Sequence, residues 1–416
     1  MPMKASAVEA KPDARTVPSA AATFSSAVHH RPRCSAPSTA TIDLTAINHN
    51  LAQVRDLVGD RKVLMAVKGD AYGHGAVQVA RHVQQTGAAD WLGVATVAEA
   101  QELVEAGVHL PILKFSPADP GNLETAILYG VRLTVVDERT VRQANEVAQA
   151  MGRCANVHVA IDTGMGRIGL QPEHLADVVA AVDRADHLRL EGVFTHLPVS
   201  DAPDGREFTA AEIAHFVDTV QMVEARRGHI PVVHMANSGA IIGQSLGPTT
   251  MVRAGIMSYG YSPNPVMGSL GLQPALSWTS HISFLKQVDP GQTVGYGRTW
   301  TAQHSTTIAT IPVGYADGYS RRLSNRGQVL IGGEFRPVVG RVCMDQLMVD
   351  LGPSSTARVG DDVVLLGEQA GHTITADDLA EQLDTISYEI TCDIGKRVDR
   401  RLSLIHISEP TRPLYI

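Results

Sequence analysis

The chain has 416 residues, a net charge of −8, a hydrophobic content of 44% and a charged content of 19%. These values are typical of a soluble globular protein and leave room for two domains. The negative charge argues against broad electrostatic binding of nucleic acid or of an anionic membrane. No run approaches the ~18 apolar residues of a membrane-spanning helix, and four scattered cysteines predict neither a disulfide framework nor a zinc site. We therefore expect a cytoplasmic protein without a bound metal.

The two ends of the chain lack the pattern of the rest. Residues 1–37 are rich in Ala, Ser and Pro without periodicity, which predicts a disordered leader. Residues 403–416 are interpreted as a non-native or disordered tail.

Residues 38–272 alternate short apolar runs with amphipathic helical stretches, the pattern of parallel βαβ units. Eight such units in this length predict an α/β fold of the (β/α)₈ TIM-barrel type. The predicted strands are residues 63–68, 91–96, 111–116, 131–137, 157–162, 190–196, 231–237 and 250–255.

A polar residue stands at or near the end of each apolar run. In this fold the carboxyl ends of the strands form the rim on which active sites are built. For any single residue the ordinary interpretation is a strand boundary, but Lys, His, Asn and Arg at one mouth favour a site. These rim residues are Lys68, Thr96, Ser116, Asp137, Asp162, His196, Asn237 and Arg253.

Residues 273–402 predict a second, mainly antiparallel β domain. Alternating apolar runs are separated there by turn sequences such as DPGQ and SNRG. One helix, in the sequence TADDLAEQLDT, is expected to interrupt the strands, with Thr375 as its N-cap.

Lys68 ends the first predicted barrel strand, in the sequence VLMAVKGDAYGHGA. A partly desolvated lysine has a lowered pKa and a nucleophilic amine, which suits a Schiff base to a carbonyl substrate or to pyridoxal phosphate. The alternative is a lysine that extends to solvent, the usual state of an isolated one.

The loops after the last two barrel strands, HMANSGA and MVRAGIMSYGY, carry groups that suit a phosphate. Ser238 offers a hydroxyl, and Gly255 and Ile256 offer backbone amides. Arg253 could meet either the phosphate or a ring nitrogen. No GxGxxG motif is present, which disfavours a dinucleotide.

Nine separated motifs together resemble the alanine racemase family of pyridoxal-phosphate enzymes, which combine a barrel with a β domain. In chain order they are AVKGDAYGHG, DTGMGRIG, FTH, HMANSG, VRAGIMSYGY, VGYGRTW, GYADGY, GRVCMDQLMVD and SYEITC.

The resemblance implies that Lys68 binds pyridoxal phosphate through its amine. Arg253 would face the pyridine nitrogen, with His234 behind it, and Arg167 would contact the phenolic oxygen. An arginine at the nitrogen disfavours its protonation, which should suppress transamination and favour reprotonation of the substrate. The full implied cofactor set is Lys68, Tyr72, Arg167, His196, Ser238, Arg253, Gly255, Ile256 and Tyr388.

The resemblance also implies a second catalytic base, Tyr296, contributed by a partner subunit. Racemisation needs a proton removed from one face of Cα and another delivered to the opposite face, and Lys68 and Tyr296 would divide these roles. The backbone at Met344, with Arg167 and Tyr296, would bind the substrate. A homodimer is therefore implied. Tyr315, Arg321 and Asp345 are placed near this end of the site.

One position departs from the family pattern. Many members have a carbamylated lysine two residues before the aspartate of DTGMGR, where this chain has Ala160. Arg167 must then be oriented by another group, either Asp162 or a bound anion such as chloride.

The expected function is pyridoxal-phosphate-dependent interconversion of L- and D-alanine, supplying D-alanine for peptidoglycan. Because relatives with a wider substrate range also lack the carbamylated lysine, the alternative is a racemase of serine or other small amino acids. A barrel protein that binds the cofactor without turnover, and a decarboxylase, are further alternatives. The β domain argues against the first of these two.

Overall fold

The structure is a computed structural model that describes residues 36–268 and 270–403. The predicted leader (1–37) and tail (403–416) lie outside these ranges, apart from residues 36, 37 and 403. A first strand and helix precede the barrel: β1 (Thr39–Asp43) and α1 (Leu44–Val58). Asp43 caps α1, since its carboxylate accepts hydrogen bonds from the backbone amides of Thr45 and Ala46.

The eight predicted barrel strands are confirmed. They pair in parallel in the order β4-β3-β2-β9-β8-β7-β6-β5. The strands are β2 (Lys62–Ala66), β3 (Trp91–Val94), β4 (Ile112–Lys114), β5 (Leu133–Val135), β6 (Ala155–Ala160), β7 (Leu188–Phe194), β8 (Val232–His234) and β9 (Met251–Ala254).

Short backbone contacts close this sheet into a ring between β4 and β5. The amide of Lys114 donates to the carbonyl of Arg132 at 3.1 Å, and the amide of Arg132 donates to the carbonyl of Ile112 at 2.8 Å. The (β/α)₈ prediction is therefore correct. The interior contains an apolar cluster contributed by five strands: Leu64, Trp91, Leu113, Val232 and Met251.

Helices surround the ring. The chain leaves for the second domain after β9, and α1 contacts both α3 and α9 beside the β2–β9 seam. The barrel helices are α2 (Lys68–Tyr72), α3 (Ala76–Thr86), α4 (Val97–Glu105), α5 (Leu123–Leu128), α6 (Glu138–Ala150), α7 (Leu175–Asp183), α8 (Arg206–Arg227) and α9 (Ser238–Gly243).

The second domain is mainly antiparallel, as predicted. Its helices are α10 (Ala376–Leu383) and α11 (Ser387–Cys392), and Thr375 caps α10 with a reciprocal bond to Asp378. Its strands are β10 (Leu276–His281), β11 (Phe284–Val288), β12 (Thr293–Val294), β13 (Trp300–Thr301), β14 (Thr306–Ile311), β15 (Gln328–Ile331), β16 (Glu334–Pro337), β17 (Leu347–Asp350), β18 (Asp362–Gln369), β19 (His372–Ile374) and β20 (Asp399–Ser403).

The first strand of the chain belongs to the second domain's sheet. The order β16-β15-β18-β10-β1-β20 places β1 between β10, which is antiparallel to it, and β20, which is parallel. Ile42, paired with Leu276 and Leu402, is fully buried. The partition at residues 38–272 and 273–402 did not anticipate this, because the pairing joins segments far apart in sequence.

Among the described residues, no helix is both long enough and apolar enough to cross a membrane. Cys154, Cys343 and Cys392 are free thiols. Within the same residues, no cluster of three or more His, Cys, Asp or Glu side chains is arranged to hold a metal ion.

Candidate active site

A cavity of about 420 Å³ opens at the carboxyl ends of the barrel strands. Four of the eight predicted rim residues line it: Lys68, His196, Asn237 and Arg253. The other four do not. Thr96 and Asp137 instead cap the helices that follow them, so for these two the ordinary interpretation was correct.

Eight of the nine residues predicted to bind the cofactor line this cavity. The exception is Ile256, which is fully buried at the start of the turn Ile256–Tyr259. The eight residues are Lys68, Tyr72, Arg167, His196, Ser238, Arg253, Gly255 and Tyr388. Tyr388 comes from α11, so the second domain forms part of the wall.

Lys68 begins a turn with an unusual backbone. The four residues after it, from Gly69 to Tyr72, have φ values of +61°, +53°, +54° and +55°. A left-handed backbone costs roughly 1–2 kcal/mol for each residue other than glycine. The surrounding hydrogen bonds must offset this cost to keep Lys68 and Tyr72 on one side of the cavity.

Three side chains stabilise the turn. The Asp70 carboxylate accepts from the amide of Ala76 at 2.7 Å. The Nδ1–H of His74 donates to the carbonyls of Ala71 and Tyr72 at 3.0 and 2.9 Å, and burial lowers the pKa of His74 to about 4. Glu99 accepts from the amide of Gly69 at 2.7 Å. Asp70 and His74 had no predicted role, and these contacts supply one.

The amine of Lys68 is suited to nucleophilic chemistry. Burial lowers its pKa, as does the positive charge of Arg167, while Glu99 acts in the opposite direction. The prediction of a partly desolvated lysine at this strand end is consistent with these surroundings.

Tyr72, Ser238 and Gly255 converge at one point of the wall. A Cβ added to Gly255 would lie 3.1 Å from the Tyr72 hydroxyl and 3.5 Å from the Ser238 hydroxyl. The Gly255 amide donates to Ser238 Oγ at 3.0 Å. The Tyr72 ring stacks on Tyr259 with centroids 4.9 Å apart. Two hydroxyls and a bare backbone in this position fit a phosphate group, and a side chain at position 255 would fill the space.

Arg253 is a buried cation whose hydrogen bonds within residues 36–268 and 270–403 all go to neutral groups. Its guanidinium donates to the carbonyls of Thr195 and Met235, both at 2.8 Å, and to His234 Nδ1 at 2.9 Å. Burial lowers its pKa to about 9, with a contribution from Arg167. His196 Nδ1 lies 3.3 Å away, and burial followed by the charge of Arg253 lowers the pKa of His196 to about 3.

Arg167 lies on an exposed loop beside Ala160 and reaches the cavity. Asp162 does not orient it, contrary to one of the two predicted possibilities. Asp162 Oδ1 instead accepts from the amides of Gly164 and Gly166, both at 3.0 Å. Among the described residues Arg167 forms no ion pair, and orientation by an anion stays a prediction.

Glu212 of α8 packs under the same loop. It is 3% exposed, and neither carboxylate oxygen has a hydrogen-bond partner among the described residues. A Cβ on Gly164 would collide with it. Burial, followed by the nearby charge of Asp162, raises the pKa of Glu212 to about 7.

The predicted partner-facing residues do not line this cavity. Tyr296 is 72% exposed, Met344 is 53% exposed, and Tyr315 and Arg321 are also exposed. Asp345 pairs with Arg397 at 2.8 Å, and Arg397 also reaches Asp317 at 3.2 Å. These pairs tie the loops carrying Met344 and Tyr315 to the segment just before β20.

Several site residues were missed by the sequence analysis. Glu99 could have been found, because Thr96 and Glu99 have the spacing of a capping box. Cys392 and Asp201, which line the cavity, carry no sequence signal that separates them from ordinary helix and loop residues.

Comparison with known proteins agrees with this geometry. Family profiles described as the alanine racemase N-terminal domain and C-terminal domain match residues 42–263 and 275–402. The chain belongs to the alanine racemase family. The resemblance inferred from the nine motifs is thereby confirmed, and members of this family are isomerases.

Individual alanine racemases cover nearly the whole chain. The enzyme of Cutibacterium acnes is 62% identical over 369 residues, which are 89% of this chain and 98% of that protein. The enzyme of Symbiobacterium thermophilum is 42% identical and covers 88% of this chain and 96% of its own. The solved alanine racemase of Clostridium difficile 630 is 37% identical, with a TM-score of 0.83 and coverage of 89% and 97%.

The raised pKa of Glu212 predicts a pH-dependent loss of stability. The unfolded carboxyl ionises near pH ~4.3, whereas the folded one holds its proton to about pH 7. The stabilisation is therefore complete at low pH and is lost as pH rises through about 7. In thermal unfolding, the Tm of Glu212→Gln relative to the parent should rise by about 2–4 °C between pH 5 and pH 8.

Glu207→Gln, an exposed change on the same helix, is the matched control and should not produce this pH-dependent gain. An equal Tm difference at both pH values for Glu212→Gln would contradict the prediction.

Proposed function

We propose that the chain interconverts L- and D-alanine as a pyridoxal-phosphate-dependent homodimer in the cytoplasm, and that its product supplies peptidoglycan synthesis. The observation that carries the proposal is the cavity, in which the Lys68 amine, the hydroxyls of Tyr72 and Ser238, and the buried Arg253 face one space. Nucleic acid and membrane have no part in it. The domain limits 38–272 and 273–402 are proposed as the functional division of the chain.

The residues present fit the cofactor. The Lys68 amine would hold its aldehyde carbon. The hydroxyls of Tyr72, Ser238 and Tyr388, with the backbone at Gly255 and Ile256, would hold the phosphate. Arg253 would donate to the ring nitrogen. When bound, pyridoxal phosphate withdraws electrons from the substrate Cα and makes its proton removable.

Arg253, placed to face the ring nitrogen, would influence whether the enzyme racemises or transaminates its substrate. Arg253 offers only N–H donors and would therefore leave the ring nitrogen without a proton. Arg253 would thereby weaken electron withdrawal and favour return of a proton to Cα over transamination. His196 and Arg167 would orient the ring, the former by packing and the latter through the phenolic oxygen.

Proton transfer is assigned to two groups on opposite faces of Cα. The lowered pKa of Lys68 lets its neutral amine take the proton on one face. The hydroxyl of Tyr296 of the partner subunit would serve the other face, and the partner's Met344 backbone, with Arg167, would hold the substrate carboxylate. The exposure of Tyr296 and its place outside the cavity of its own chain support a shared site.

Borohydride reduction tests the cofactor assignment. After reduction of the loaded protein, peptide mapping should find the pyridoxyl group on Lys68, because its amine lines the cavity. Lys114 is the internal control. It is also a buried lysine with a pKa lowered by burial, but it donates to Ser116 and Pro117 outside the cavity. Labelling of Lys114, or none at Lys68, would refute the assignment.

Mixed dimers test whether the site is shared. Lys68→Ala and Tyr296→Phe should each lower kcat by about 10²–10⁴-fold, since each removes one proton-transfer group. Co-expression should restore about a quarter of the wild-type activity, because half of the dimers are mixed and one of their two sites is intact. If each chain used its own Tyr296, the mixture would remain inactive. Undiminished racemisation by Tyr296→Phe in both directions would refute the two-base assignment.

Initial rates with L-alanine and L-serine separate the two substrate hypotheses. A site selective for alanine should turn over L-serine more slowly, by up to ~100-fold for a single added hydroxyl. A higher serine rate would favour the broader racemase, which Ala160 keeps open. Release of carbon dioxide from either amino acid would indicate a decarboxylase instead.

A further inference from the structure

A row of polar side chains runs through the barrel interior from the cavity to β7. It begins at Arg253 and continues through His234 of β8 and His158 of β6 to Glu191 of β7. Arg253 Nη1 lies 2.9 Å from His234 Nδ1, His234 Nε2 lies 3.0 Å from His158 Nδ1, and His158 Nε2 lies 3.4 Å from Glu191 Oε2. Both histidines are fully buried.

The chemistry of arginine determines the direction of this row. A guanidinium can only donate, so His234 Nδ1 must accept. Burial lowers the pKa of both His234 and His158, and each is therefore neutral with one ring proton. His234 then carries its proton on Nε2 and donates to His158. By the same reasoning His158 carries its proton on Nε2 and donates to Glu191.

The row also connects a buried cation to a carboxylate. Among the residues that the structure describes, none of the groups that accept from Arg253 is a carboxylate. A buried charge without compensation is costly. Glu191, whose side chain is 19% exposed, ends the row two imidazoles away and is itself paired with Arg132 at 3.3 Å.

Aromatic side chains hold the row in place. The ring of Phe194 stacks on His234 with centroids 4.9 Å apart, and that of Trp91 meets His158 edge-on at 5.5 Å. The Arg132 guanidinium lies 5.2 Å from the centre of the Trp91 ring. These contacts leave the imidazoles little freedom to rotate, so the proton positions decide which hydrogen bonds form.

We propose that Glu191 and His158 are positioning residues for the reaction, acting through His234 to hold the Arg253 guanidinium in its donating position toward the cofactor ring. The inference rests on the proposed role of Arg253. Without the carboxylate, the Nε2–H of His158 loses its acceptor, and its proton can move to Nδ1. The Nδ1–H of His158 would then face the Nε2–H of His234, and no hydrogen bond could form between the two rings. His234 would have to rearrange, and its hydrogen bond with Arg253 would be disturbed.

The first test reads the ring protons directly in the cofactor-free protein. Long-range ¹H–¹⁵N NMR of the histidine rings should find His158 and His234 neutral and protonated on Nε2 at neutral and alkaline pH. A proton on Nδ1 of either ring, or a doubly protonated ring, would overturn the proposal. This measurement depends on neither activity nor any variant, except for single-site substitutions used to assign the signals.

The second test changes the acceptor. Glu191→Leu removes it, and we expect mixed tautomers at His158 and His234 together with a 2- to 30-fold lower kcat in the loaded enzyme. Glu191→Gln can still accept through its amide oxygen and should keep both tautomers and a kcat within about twofold of wild type. His158→Phe should lower kcat as Glu191→Leu does, and gives a second reading should that variant fold poorly.

Asp183→Leu is the control matched to Glu191→Leu. It removes the carboxylate of another barrel ion pair, that of Asp183 with Arg227 at 2.7 Å, which does not touch the row. This variant should match wild type in tautomers and kcat. If Glu191→Leu lowers Tm but leaves the His234 tautomer and kcat unchanged, its role is structural and the proposal fails. A wild-type protein that does not racemise alanine would refute the proposed function, whereas the tautomer measurement would stand.

Discussion

The pairing of the first barrel strand with the last is the constraint on which the rest of the site depends. β2 and β9 run side by side in parallel, with Leu64 opposite Arg253. This register brings the turn that follows β2 against the loop that follows β9. Lys68 and Tyr72 therefore face Arg253 and Gly255 across one cavity, although the two segments are separated by most of the barrel sequence. Loss of this seam would separate the nucleophilic amine from the groups proposed to bind the cofactor.

Several basic side chains lie together at the mouth of the barrel. Three basic side chains, Lys68, Arg167 and Arg253, line one space, and burial together with the nearby positive charge lowers the pKa values of Lys68 and Arg253. Such an arrangement is unfavourable on its own and suits an anionic ligand. The neighbouring histidines stay neutral for the same reason, so they act as hydrogen-bonding partners and not as additional charges.

The two domains are interwoven and are not simply consecutive. β1 crosses into the second domain's sheet before the barrel begins, and α11 returns Tyr388 and Cys392 to the barrel mouth. The second domain thus closes one side of the cavity of its own chain. Tyr296 and Met344 lie on its exposed loops, outside that cavity. This arrangement is consistent with a site completed by a second copy of the chain.

The sequence by itself determined the fold class, all eight barrel strands and nine of the 23 residues that line the cavity. Apolar runs at regular spacing and a family resemblance are local signals, and Lys68, Tyr72 and Ser238 lie in contiguous motifs. Only the tertiary structure decided the location of β1, the roles of Asp70, His74 and Glu212, and the extension of the row from His234 to His158 and Glu191. Each of these depends on contacts between distant segments or on a left-handed backbone, and no periodicity or spacing records such contacts.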